Sequence, residues 1–66
     1  MNTNILEGKW KQIVGEARIQ WGKLTDDELD QIAGRRDKLV GLIQERYGYA
    51  KEKAEREVDH FLSRYR

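Results

Sequence analysis

The chain has 66 residues, of which 38% are charged and 38% hydrophobic, yet its net charge is only +1. This length suits one domain with a core of barely sufficient size, and the absence of cysteine excludes disulfides and thiolate metal sites. No signal-peptide pattern is present, and no apolar run approaches the roughly 20 residues of a membrane span. We therefore expect a cytoplasmic protein without a membrane partner.

The first segment, from about residue 4 to residue 21, has the apolar spacing of an amphipathic helix. At about 100° per residue, its apolar side chains fall within an arc of roughly 100°. Asn4 is the expected N-cap, and we expect Trp10 and Trp21 to be buried. The members of the arc are Leu6, Trp10, Ile13, Val14, Ala17 and Trp21.

A short second helix is predicted over residues 26 to 33. Thr25 followed by Glu28 has the spacing of a capping box. The acidic side chains of residues 26 to 28 also suit the positive end of a helix dipole. An acidic docking site is the alternative interpretation of this cluster, and we favour the helix N-terminus.

Two further apolar faces predict helices 3 and 4, whereas no segment alternates as a strand does. Helix 3 has the face Leu39, Val40, Ile43 and Tyr47. Helix 4 has the face Ala50, Ala54, Val58, Phe61, Leu62 and Tyr65. The predicted fold class is therefore all-α, with four helices.

The chain also repeats itself at a shift of 26 residues. At this shift Gly8, Val14, Gly15 and Gly22 fall on Gly34, Val40, Gly41 and Gly48. Internal repetition indicates repeated structural units. We predict two helical hairpins, about residues 4–33 and 35–65, that pack crosswise about a pseudo-twofold axis in a single domain covering residues 1–66.

Three glycines are predicted to end helices. Gly22 and Gly48 each follow an aromatic residue at the end of an apolar face, where a left-handed residue commonly ends a helix. Gly34 is expected to do the same between helices 2 and 3.

The other three glycines lie inside predicted helices, where each costs about 0.8–1 kcal/mol relative to alanine. All three fall away from the core, and so do two isoleucines of helix 1 and one leucine of helix 3. Together they predict a surface for a protein partner or weak self-association, although single exposed apolar residues are also ordinary. This predicted outer strip consists of Ile5, Gly8, Gly15, Ile19, Gly41 and Leu42.

The sequence lacks the residue groups of catalytic and metal sites. His60 and Ser63 are the only histidine and serine, and no third group completes a nucleophilic arrangement. One histidine without cysteine gives no metal ligands beyond carboxylates. The glycines are spread along helices and do not form a phosphate-binding loop. We expect no enzyme, no metal, no cofactor and no small-molecule substrate.

Nucleic-acid binding is the alternative function. Basic residues of helices 1 and 3 could contact phosphates, but acidic residues interrupt these faces. The two tryptophans are expected in the core, where they cannot stack on bases. The candidate contacts are Lys9, Lys11, Arg18, Arg35, Arg36 and Lys38.

The stretches GKWKQIVGEARIQWGKLTDDEL and RRDKLVGLIQERYGYAKEKAEREV resemble the CsbD-like family of small bacterial general-stress proteins, over about Gly8 to Val58. The resemblance implies two crossed helical hairpins, greater abundance under stress, a cytoplasmic setting and no established catalytic activity. Family members often have lysine at the positions of Glu16 and Leu42, which weakens the nucleic-acid alternative here. We therefore predict a non-enzymatic stress-associated protein that acts by protein interaction or in a protective role.

Overall fold

Four α-helices and a terminal 3₁₀ helix make up the described part of the protein. The computed structural model describes residues 3–65, with side chains from residue 8 onward. The helices are Thr3–Gln20 (α1), Asp26–Ile32 (α2), Arg36–Tyr47 (α3) and Lys51–Leu62 (α4), followed by the 3₁₀ helix Ser63–Tyr65. Residues 3–65 contain no strand, which confirms the predicted all-α class. The crosswise packing of two hairpins about a pseudo-twofold axis stays a prediction.

A single hydrophobic core joins the four helices. Trp10 and Trp21 are both buried, as the apolar arc of helix 1 predicted. Trp21 meets Phe61 of α4 edge to face, with ring centroids 4.8 Å apart, and so connects the residue that follows α1 with the last α-helix. Ala50 is exposed because it is the N-cap of α4 rather than part of its apolar face. The predicted core residue Leu6 lies outside the residues whose side chains are described.

Trp10 also holds α2 against α1 by a hydrogen bond. Its indole Nε1 donates to the backbone carbonyl oxygen of Leu29 at 2.7 Å. Leu29 is the middle residue of the seven-residue helix α2, and its carbonyl is among the last four of the helix, which have few partners within it. A helix this short is not stable alone, so this bond and the burial of Leu29 and Ile32 keep it in place.

Two predicted helix ends are confirmed. The N–H of Glu28 donates to Thr25 Oγ1 at 3.2 Å, and the N–H of Thr25 donates to the Glu28 carboxylate at 3.1 Å, which completes the capping box. Gly48 follows α3 in the left-handed conformation, with φ +69°, and donates its N–H to the carbonyl oxygen of Gln44 at 2.9 Å.

The end of α1 differs from its prediction. Gly22 is not left-handed. Instead, the N–H of Leu24 donates to the carbonyl oxygen of Trp21 at 3.1 Å, which closes a turn. The N–H of Lys23 donates to the hydroxyl of Tyr47 at 3.1 Å. The turn is therefore stabilised by α3, which belongs to the other predicted repeat unit.

The other two differences are small shifts of a helix end. Asn4 is not the N-cap, because α1 already includes Thr3. At the end of α2, Ala33 is already left-handed with φ 54°, and Gly34 follows it with φ 82°. Gly34 is therefore left-handed as predicted, but the helix already ends one residue earlier than predicted, because Ala33 has the left-handed conformation too.

We expect substitutions of Trp10 to separate packing from hydrogen bonding. Trp10→Phe removes the donor to Leu29 and should lower the free energy of unfolding by about 1–3 kcal/mol. Trp10→Ala also empties the core and should lower it by about 3–5 kcal/mol, enough to unfold a marginal domain. Urea unfolding followed by circular dichroism measures both. A Trp10→Ala variant that unfolds near the wild-type urea concentration would contradict the buried position of this ring.

The same change, glycine to alanine, should have opposite effects at two positions. A Cβ at Gly15 would meet no neighbouring atom within 4 Å, so Gly15→Ala should raise the free energy of unfolding by about 0.8–1 kcal/mol. Gly48→Ala forces a Cβ into the left-handed region and should lower it by about 1–2 kcal/mol. Thermal unfolding of dilute protein compares the two. Shifts of equal sign would show that the two glycines do not have different structural roles.

Candidate functional site

The outer side of α1 lies opposite its buried face. Ile19 is 86% exposed, and it is the one large apolar side chain so exposed among residues 8–65. Gly8 and Gly15 are also exposed, and a Cβ at either would meet no neighbouring atom within 4 Å. Ile5 belongs to the same helix, but its side chain lies outside the described residues. We call Ile5, Gly8, Gly15 and Ile19 the α1 face.

The other two residues of the predicted outer strip lie apart from the α1 face. Gly41 and Leu42 line an open groove between α2 and α3, which no described residue of the α1 face lines. Leu42 is half-buried and packs against the core, so the expectation that it lies away from the core is wrong. The reason is α2, which contacts α3 and covers a side of that helix that the sequence pattern leaves open. Among the described members of the strip, Gly41 and Leu42 therefore line a groove that Gly8, Gly15 and Ile19 do not line.

Charged side chains surround the α2–α3 groove in balanced numbers. Arg46 pairs with the carboxylates of Glu28 and Glu45, and its Nη1 lies 2.8 Å from Glu45 Oε1. Lys38 lines the same groove. Two acids and two bases leave the groove without net charge, so it offers little electrostatic attraction to a charged ligand.

Two of the six candidate phosphate contacts are held in ion pairs. Arg36 donates to both carboxylate oxygens of Asp59, with 2.5 Å from Nε and 2.9 Å from Nη2, and it approaches Glu55 at 3.5 Å. The hydrogen bond with Asp59 raises the pKa of Arg36. This two-pronged pair ties α3 to α4. Arg18 pairs with Asp26 at 3.1 Å. Both guanidinium groups therefore have a structural partner.

The remaining four candidates are exposed. Lys9 and Lys11 lie on α1, Arg35 is the N-cap of α3, and Lys38 lies on α3 beside the acidic groove residues. With Arg18 and Arg36 paired, the predicted basic faces have fewer cations for phosphate than the sequence indicated.

Sequence reasoning missed a basic stripe on α4. Lys53, Arg56 and His60 line one shallow depression, together with Glu57. The signal was their spacing of three and four residues, which places side chains on one side of a helix. The ammonium group of Lys53 also lies 4.2 Å from the ring centroid of Tyr49, a cation–π contact. Glu57 offsets part of the positive charge, so this stripe is a weak attractor for anions.

No reactive arrangement is found in the described part of the chain. Ser63 Oγ donates to the backbone carbonyl oxygen of His60 at 2.6 Å, so its hydroxyl is bonded to the main chain rather than to the imidazole. The side chains described, those of residues 8–65, include no group of three or more histidine and acidic residues suited to a metal ion. Within the same range, every helix is too short or too polar to cross a membrane.

Comparison with known proteins identifies the relatives of this chain. The CsbD-like family matches residues 4–56. A UPF0337 protein of Pectobacterium atrosepticum is 62% identical over 61 residues, which cover 92% of this chain and 88% of that protein. A UPF0337 protein of Bordetella pertussis is 56% identical over 64 residues, 97% of either chain. The UPF0337 protein YjbJ of Escherichia coli K12 is 59% identical over 58 residues, 88% of this chain and 84% of its own length. The chain belongs to the CsbD-like family, as its sequence resemblance predicted.

Proposed function

We propose that this protein is a non-enzymatic, stress-associated protein of the cytoplasm that acts by binding another protein, or in a protective role, through the α1 face. Membership of the CsbD-like family supports the stress association. The proposal includes the predicted architecture of two crossed hairpins, with the α1 face on the outside.

The proposal depends on one observation. Ile19 is 86% exposed on the α1 face, and the same face contains Gly8 and Gly15, where a Cβ would meet no neighbouring atom within 4 Å. Burying such a side chain against a partner contributes about 1.5–3 kcal/mol. Gly15 on the same face costs the isolated helix about 0.8–1 kcal/mol relative to alanine, and no contact within the described residues requires it to be glycine. Glycine does, however, let another backbone approach closely.

The nucleic-acid alternative gains no support from these contacts. Arg18 and Arg36 have carboxylate partners, and Trp10 and Trp21 are buried and cannot stack on bases.

Capture of partners from stressed cells tests this proposal. We expect Ile19→Glu and Gly15→Glu to lower partner affinity at least about tenfold, since each places a charge in the contact. Gly15→Glu replaces glycine with a better helix former, so a loss of binding would not reflect unfolding.

The matched control for this capture is Gln20→Glu. It makes the same change in charge one residue from Ile19, at an exposed position around the helix from the α1 face. The control should retain the wild-type partners. Identical partners for all four proteins would rule out the α1 face as the binding surface.

A further inference from the structure

A line of basic side chains extends along the exposed side of α4 and into the 3₁₀ helix. Lys53, Arg56 and His60 line one shallow depression, and His60 lines a second depression together with Arg64. These four residues are exposed, and they are spaced by three or four positions, which places side chains on one side of a helix. The line is therefore continuous over about 16 Å, at about 1.5 Å per residue.

Two tyrosine rings extend this line to the turn after α1. The ammonium group of Lys53 lies 4.2 Å from the ring centroid of Tyr49. The ring centroids of Tyr49 and Tyr47 are 5.6 Å apart. The ammonium group of the exposed Lys23 lies 5.0 Å from the ring centroid of Tyr47. We call Lys23, Lys53, Arg56 and Arg64 the basic band.

The cations of the basic band are positioned by aromatic rings. Besides the two lysine–tyrosine contacts, the guanidinium group of Arg64 lies 5.9 Å from the ring centroid of Phe61. A cation–π contact holds a cation in place without supplying a counter-charge. No member of the basic band has an ion-pair partner among the side chains of residues 8–65. The band therefore presents cations that are held in place and still carry their full charge.

Two acidic residues of α4 are used by α3. Glu55 and Asp59 both contact the guanidinium group of Arg36, so their charge is compensated inside the domain. Among the residues that line the two depressions, Glu57 is the one carboxylate. The four cations of the basic band outnumber it, so the band keeps a net positive charge and attracts anions.

We propose that the basic band binds the phosphate backbone of a single-stranded nucleic acid. A row of separate cations matches a chain of charges better than it matches a single ion. Phosphates recur about every 3.4 Å along a stacked strand, so about five of them fit beside the α4 part of the band. Contacts to phosphate carry no information about the bases, so we expect binding without sequence preference.

This surface is distinct from those described above. The basic band contains none of the six candidate phosphate contacts on α1 and α3, and none of the residues of the α1 face. Nucleic-acid binding by α4 therefore goes beyond the proposed function, and either one can fail without the other.

An anionic membrane is a less suitable partner for the basic band. A helix that lies on a membrane buries an apolar face among the lipids. In α4 the apolar side chains Val58, Phe61 and Leu62 are already buried in the core. The outer side of this helix offers charge, which a nucleic-acid backbone can use without an apolar contact.

Fluorescence anisotropy of a labelled DNA strand of about 16 nucleotides tests the binding. We expect a dissociation constant of about 10⁻⁶–10⁻⁴ M at about 50 mM salt, the range of non-specific binding. With four phosphates neutralised, the affinity should fall about 50-fold between about 50 and about 200 mM salt, because counterions are released on binding. A strand that does not bind at the lower salt concentration, or an affinity that salt does not change, would overturn the inference.

Variants without charge test the location of the site. Lys53→Gln and Arg56→Gln should each weaken binding about fivefold to tenfold at about 50 mM salt, since each loses one phosphate contact. Lys53→Arg keeps both the charge and the cation–π contact, so it should bind as wild type does. Circular dichroism checks that these variants at exposed positions stay folded.

The matched control for these variants is Lys9→Gln. It removes the same charge from an exposed position on α1, outside the basic band. The control should change the affinity less than about twofold, because salt screens distant charges. Equal weakening by Lys9→Gln and Lys53→Gln would show that the basic band is not the site.

Two other polyanions test the class of partner. Vesicles that contain phosphatidylglycerol represent a membrane, and poly-glutamate represents an acidic protein segment. At equal concentrations of negative charge, both should bind more weakly than the DNA strand. Equal or tighter binding of either one would overturn the assignment to nucleic acid, and tighter binding of the matching DNA duplex would overturn the assignment to a single strand.

Discussion

The rest of the structure depends on the contact between α1 and α2, which centres on Trp10. Its buried indole fills the core and donates to the carbonyl oxygen of Leu29. A seven-residue helix has too few internal hydrogen bonds to persist by itself, so this contact keeps α2 in place. Because α2 also contacts α3, its position forms the α2–α3 groove and half-buries Leu42.

The sequence repeat is not matched by a repeat of backbone conformation. Gly22 and Gly48 are equivalent at the shift of 26 residues, yet only Gly48 is left-handed. The turn after α1 is instead closed by the hydrogen bond from Leu24 to the carbonyl oxygen of Trp21. A second hydrogen bond, from Lys23 to the hydroxyl of Tyr47, stabilises it. A glycine permits the left-handed conformation without imposing it, so its surroundings decide whether the conformation is used.

The two sides of α1 have different roles. One side contributes buried residues to a core of limited size, and truncation there removes a large part of the stability of a small domain. The opposite side contributes nothing to that core, and its glycines lower helix propensity without relieving any crowding. Residues that lower helix stability without contributing to packing are good candidates for a binding role. The proposal for the α1 face follows from this contrast.

The sequence by itself determined the all-α class, the buried tryptophans, the capping box at Thr25 and the left-handed end at Gly48. Each depends on side-chain spacing or on neighbours within one turn. Three features were decided only by the tertiary structure. Gly22 is not left-handed, and Arg36 forms an ion pair with Asp59. Gly41 and Leu42 line a groove that Ile19 does not line. These features depend on contacts between residues far apart in the chain, and a helical wheel gives the direction of a side chain but not the element that lies there.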